Sequence, residues 1–143
     1  MEIFATACAS GLTCRAKRPL GEEEGLTVIS TGGQVRRESL TLVGSLAQQS
    51  CLAYRANKAF ISPKGFRPEA GAVNGNEQET AMQRCMIERA EQMILLCDHT
   101  KFTRLGHLTL AALPEIKTMI TDTPLPREWA GAMEGVRLIT AKP

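Results

Sequence analysis

Six short runs of aliphatic and β-branched residues recur along the chain: IFATA at 3–7, LTVIS at 26–30, KAFIS at 58–62, MILLC at 93–97, KTMIT at 117–121 and VRLIT at 136–140. Most are nearly continuous rather than alternating, and this constrains the fold more than any other feature. A strand that is apolar at successive positions needs cover on both faces, as in a mostly parallel sheet flanked by helices. Between the runs lie two segments with helix-like apolar spacing, LTLVGSLAQQSCLAYRA at 40–56 and EQETAMQRCMIERAEQ at 77–92. The second carries its stripe through Ala81, Met82, Cys85, Met86, Ala90 and Met93. The alternation predicts an α/β, three-layer architecture built on a mostly parallel sheet. HLTLAAL, just before Pro114, reads as one more strand, at an edge or antiparallel.

With 143 residues the chain suits a single domain, expected to span residues 1–143, with room for a real core. Seventeen basic against fifteen acidic side chains leave a formal charge of +2, which argues against a surface devoted to nucleic acid. Arg15, Lys17 and Arg18 form only a short basic cluster, read as solvated surface rather than a docking patch. The five cysteines, Cys8, Cys14, Cys51, Cys85 and Cys97, are odd in number, scattered and without CxxC spacing. That pattern fits reduced thiols acting as small core residues. Glu2 stands where a secretory signal needs positive charge, and no run nears the ~18 apolar residues of a transmembrane helix. A cytoplasmic protein with no membrane partner is expected.

In open α/β sheets ligands bind beyond the carboxyl ends of the strands, where loops converge and helix N-termini point. The segments after the predicted strands are Thr31-Gly32-Gly33, Ser62-Pro63-Lys64-Gly65, Asp98-His99-Thr100-Lys101 and Thr121-Asp122. All are small, hydroxylic or charged. Glycine admits close backbone approach, hydroxyls donate hydrogen bonds and lysine supplies a point charge, a combination suited to a small phosphorylated or carboxylated polyol. Each piece has a plainer reading: Gly32-Gly33 as a turn without GxGxxG or Walker spacing, Lys64 as a loop lysine, Asp98 and Lys101 as a surface ion pair. His99 and His107 stand apart from any cysteine or carboxylate pattern, so no metal or other cofactor is expected. Trp129 and the methionines read as packing residues.

VISTGGQVRRESLTLVGSLAQQ, ANKAFISPKGFRPEAGAVNGNEQETAMQRCMIERA, MILLCDHTKF and LPEIKTMITD resemble, in order and spacing, the C-terminal effector domain of the DeoR family of bacterial sugar-metabolism regulators. The resemblance runs from about Thr27 to Asp122. It implies a fold similar to that of ribose-5-phosphate isomerase, glucosamine-6-phosphate deaminase and the coenzyme A transferases. It also implies a function: binding a phosphorylated sugar as inducer and so relieving repression by a helix-turn-helix domain. Carried over by position, Thr31, Gly32 and Gly33 match the family's TGG loop, Gly65 its GF block, Glu79 its acidic residue opening the long helix, and Asp98 and Lys101 its D-H-S-K pair. Self-association into a homo-oligomer is implied as well.

This sequence departs from the family pattern in several places. No helix-turn-helix segment and no D-x-G-T-T type phosphate loop occur in it, so DNA contact is expected only through a domain that the chain lacks. MEIFATACASGL aligns with the strand after that loop, with Thr6 the clear match. Gln83 stands where the family usually has lysine, and Asn57 where it often has aspartate. Asn76-Glu77-Gln78-Glu79 also has the form of a helix cap, with Asn76 receiving N–H bonds and Glu79 reaching back. The expected function is therefore a non-catalytic sugar-phosphate sensor. The alternatives are an isomerase or deaminase using Glu79, Asp98 or Asp122 as general base, and a truncated module that serves only oligomerisation.

Overall fold

The computed structural model describes residues 4–8 and 29–141. Its strands β1 (Phe4–Cys8), β4 (Ala56–Ser62), β7 (Ala90–Leu96), β9 (Thr118–Thr121) and β10 (Arg137–Thr140) form one sheet in the order β1-β4-β7-β9-β10. Every neighbouring pair in it is parallel. Among the described residues two helices, α1 (Ser45–Leu52) and α2 (Glu77–Glu88), flank the sheet, and α2 packs against α1, β4 and β7. The architecture is the α/β one that the apolar runs predict.

Two small antiparallel sheets are added to it. One is the hairpin of β2 (Gln34–Arg36) and β3 (Thr41–Val43); the other joins β5 (Gly65–Arg67), β6 (Gly71–Asn74) and β8 (Leu108–Ala111) in the order β5-β6-β8. HLTLAAL thus supplies an antiparallel strand, as expected. The segment 40–56 is helical only at its centre. Thr41–Val43 pairs in the hairpin, Gly44 takes φ 94° and breaks the chain direction, and Ala56 opens β4. The second helical segment likewise gives way to β7 at Ala90.

The core lies between the sheet and α2. Ala59, Ile61, Leu95 and Met119 are fully enclosed, and Met82, Cys85 and Met86 meet them from the helix. In register Ala59 faces Met93, Ile61 faces Leu95 and Leu95 faces Met119, so one apolar row crosses three strands. Cys51, Cys85 and Cys97 are free thiols buried in this core. Burial pushes the Cys51 thiol up to about 12, with the neighbouring Cys85 thiol acting in the same direction. Trp129 packs edge-on against Phe66 and Phe102, at 5.8 and 5.2 Å between ring centres.

Two apolar runs behave differently from their composition. VRLIT forms β10, but with β9 as its neighbour at the sheet edge it stays exposed, Leu138 by 43% and Ile139 by 37%. Of LTVIS, Ile29 and Ser30 are not in a strand and Ile29 is 59% exposed, while residues 26–28 lie outside the described residues. Arg15, Lys17, Arg18 and Cys14 lie outside them too.

Candidate strand-end anion site

β4 and β7 run side by side and deliver Ser62 and the Cys97-Asp98-His99 segment to the same edge of the sheet. The ladder continues past β7, since Cys97 N donates to Ile120 O at 2.9 Å. Asp98 then caps a short 3-10 turn, His99–Lys101, accepting from Thr100 N at 2.9 Å and from the Thr100 hydroxyl. Partial burial works against the Asp98 carboxylate, but the Thr100 bonds and the Lys101 charge outweigh it and hold its pKa below the ordinary value. The apolar strand stops at Asp98, where the carboxylate caps the turn that brings Lys101 back to Ser62.

Lys101 Nζ donates to Ser62 Oγ and lies 3.4 Å from Leu96 O and 3.9 Å from Asp98 Oδ2. An ammonium carries three N–H donors. Ser62 and Leu96 take two, Asp98 is beyond hydrogen-bond reach, and among the described residues no acceptor is recorded for the third. Burial pushes the nearby Cys97 thiol up to about 12 against the lowering influence of Lys101, which keeps it neutral.

Beneath Ser62 lies a buried amide relay. Asn74 Nδ2 donates to Gln83 Oε1 at 2.7 Å, Gln83 Nε2 donates to Ser62 O at 3.3 Å, and Lys64 N donates to Asn74 Oδ1 at 3.0 Å. Ser62, Asn74 and Gln83 are 4%, 2% and 3% exposed, so each bond is made where water cannot replace it. The relay holds the Ser62-Pro63-Lys64 corner rigid, and with it the hydroxyl that receives Lys101.

The remaining predicted residues occupy other parts of the molecule. Glu79, in the first turn of α2, turns to the β2–β3 hairpin, where Oε1 accepts from Ser39 Oγ and from Thr41 Oγ1 at 3.2 Å. Arg36 Nε is enclosed 3.3 Å from the same oxygen, without hydrogen-bond alignment. Asn76 caps α2 by accepting from Glu79 N at 3.0 Å, so half of the predicted cap forms while the Glu79 side chain serves the hairpin. Thr31, Gly32 and Gly33 lead into β2. Gly33 takes φ 92°, and a Cβ there would stand 2.6 Å from Val43 O, so its backbone packs on the β3–α1 corner. Gly65 lies in β5, where a Cβ would meet Arg104 O at 2.3 Å. The structure therefore gathers Asp98 and Lys101 with Ser62, and places Glu79 one helical turn from Gln83.

Ser62 stood next to the predicted set, and Gln83 was marked by its departure from the family pattern. Asn74 left a weaker trace: one amide ending the apolar strand Gly71–Asn74. Nothing in the local sequence marks Arg36, Ser39 and Thr41 as partners of Glu79.

The parallel sheet with helices packed on it and a polar corner at the strand ends defines a domain of the α/β class. The family described as the DeoR C terminal sensor domain matches residues 15–123, and the chain belongs to that family. It is 35% identical over 130 residues to the uncharacterized HTH-type transcriptional regulator YulB of Bacillus subtilis (strain 168), covering 90% of this chain and 50% of that protein. It is 33% identical over 116 residues to a putative aga operon transcriptional repressor of Escherichia coli O157:H7, covering 81% and 42%. The HTH-type transcriptional regulator GolR of Listeria innocua is 32% identical over 120 residues, covering 84% and 46%. The chain thus spans about half the length of the curated relatives it matches. No helix among the described residues is long and apolar enough to cross a membrane.

Proposed function

We propose that the chain is the effector-sensing part of a DeoR-type transcriptional regulator of carbohydrate metabolism, and that it binds a phosphorylated sugar as inducer at the ends of β4 and β7. The observation that supports this reading is Lys101: its ammonium is held by Ser62 at the strand-end edge, and among the described residues one of its donors has no recorded acceptor. DNA is contacted through the helix-turn-helix part of the complete regulator, which works in the cytoplasm as a homo-oligomer. An isomerase-type base is disfavoured because the three candidate carboxylates are already engaged. Glu79 serves Ser39 and Thr41, Asp98 serves Thr100, and Asp122 serves His99.

The test is a thermal-shift series with hexose and pentose phosphates against the same sugars without phosphate. A ligand at ~100 times its dissociation constant stabilises the fold by about 2.7 kcal/mol. Stabilisation by one phosphorylated sugar, and none by its unphosphorylated form, is the expected result. If no phosphorylated sugar stabilises the protein, the reading fails.

A further inference from the structure

The turn that carries Lys101 is tied from outside by one carboxylate. β7 and β9 are parallel neighbours, with Leu96 opposite Ile120, so their ends set His99 beside Asp122. Asp122 Oδ1 accepts from the His99 backbone N–H at 2.7 Å, and Oδ2 lies 2.5 Å from His99 Nδ1. The turn is otherwise held from within, by Asp98 to Thr100 and by Lys101 N to Asp98 O at 3.0 Å. Among the described residues its other outward ties are those of Lys101 Nζ to Ser62 Oγ and to Leu96 O.

We propose that Asp122 is a positioning residue for the anion site, clamping His99 so that the grip of Lys101 on a phosphorylated sugar weakens as His99 loses its proton. The inference rests on the reading of this edge as the sugar-phosphate site. A charged imidazole donates from Nδ1 to the carboxylate with charge assistance, whereas a neutral one keeps that bond only in one tautomer and without the charge. Among the described residues the charged groups acting on His99 are Asp122 from the β9 end and Asp98 from its own turn; Lys101 acts on Asp98, and the Cys97 thiol is neutral behind them. The hydrogen bond to Asp122, then the Asp122 charge, raises the His99 pKa above the ordinary 6.5. With side chains 63% and 42% exposed, His99 and Asp122 exchange protons freely with solvent.

The test compares the parent chain with His99→Gln and Asp122→Asn by calorimetric titration of the panel of hexose and pentose phosphates, from about pH 6 to about pH 9. The ligand's own phosphate titrates near pH 6, and His99→Gln carries that contribution alone. Parent affinity should fall several-fold more across the range than that of His99→Gln, and Asp122→Asn should reduce the fall and move what remains to lower pH. Equal slopes in parent and His99→Gln would overturn the proposal. A ligand-free arm separates it from the binding reading. In heteronuclear NMR of the parent chain, the Thr100 and Lys101 amides should move with the His99 ring titration, and that coupling should weaken in Asp122→Asn. If no sugar phosphate binds but the amides follow His99, the binding reading fails and the clamp stands. If the amides ignore His99, the clamp is refuted whatever binds.

Discussion

Glu79 and Gln83 stand one helical turn apart on α2 and direct their side chains into different polar clusters. Glu79 Oε1 receives Ser39 and Thr41 from the β2–β3 hairpin, while Gln83 joins Asn74 to the Ser62 carbonyl at the end of β4. Residues four apart share a helix face, so α2 forms one wall that couples the hairpin to the strand-end corner.

Glu79→Ala should destabilise the fold by about 1–3 kcal/mol, because it leaves the buried Arg36 Nε without the carboxylate beside it and removes the acceptor of Ser39 and Thr41, while Arg36 Nη2 keeps Glu38 at 3.0 Å. The Ser39 and Thr41 hydroxyls stand 2.8 Å apart and, released from Glu79, can bond each other, which limits the loss. Glu79→Gln retains an acceptor and should cost less. Urea denaturation measures both, and an Ala variant as stable as the parent would contradict the hairpin tether.

Lys101→Ala should weaken phosphorylated-sugar binding about tenfold or more, since a charge-assisted hydrogen bond contributes roughly 1.5–3 kcal/mol. Lys117→Ala is the control, an exposed lysine at the opposite end of β9. Titration calorimetry should show the first variant impaired and the second unchanged. Equal affinities in all three proteins would remove Lys101 from the site.

Gly65→Ala and Gly75→Ala form a contrasting pair. At Gly65 the new methyl would meet the Arg104 carbonyl at 2.3 Å, a backbone group that can yield only if the chain moves. At Gly75 it would meet Lys64 Nζ at 2.9 Å, the far end of a flexible side chain. Overpacking of the first kind costs about 1–3 kcal/mol. Thermal melts should show a clear loss for Gly65→Ala and little for Gly75→Ala.

Stability should fall on both sides of a neutral plateau. The Asp122 carboxyl is held below its ordinary 3.8 by the His99 hydrogen bond, and that of Glu115 below 4.5 by the Arg84 hydrogen bond. Their contribution is complete above the ordinary values and is lost as pH falls through the depressed ones. The His99 pKa is raised, so its contribution is complete below 6.5 and is lost as pH rises through the raised value. Melting temperature against pH should therefore decline at the alkaline end in the parent and not in His99→Gln.

The central strands were legible because their physics is local. KAFIS and MILLC lie between neighbours on both sides, so nearly every position needs an apolar side chain, and the run shows it. VRLIT has the same composition, but its place at the sheet edge leaves it exposed, and nothing within five residues encodes how many neighbours a strand will have. LTLV reads as part of a helix because Leu40, Val43 and Ala47 fit helical spacing. The hairpin partner and the backbone of Gly44, at φ 94°, decide otherwise. The strands QVR, GFR and GAVN are too short for any periodicity to emerge.

The same division holds for the site. By itself the sequence determined that a buried strand ends in Asp98, His99, Thr100 and Lys101, because an apolar run that stops at charge marks the edge of a core. Only the tertiary structure decided which groups meet that turn. Ser62, Gln83 and Asp122 come from separate segments, with Ser62 lying 39 residues from Lys101 in the chain. Their hydrogen bonds depend on parallel strand register and on the seating of α2, which arise from packing over the whole domain rather than from any local preference.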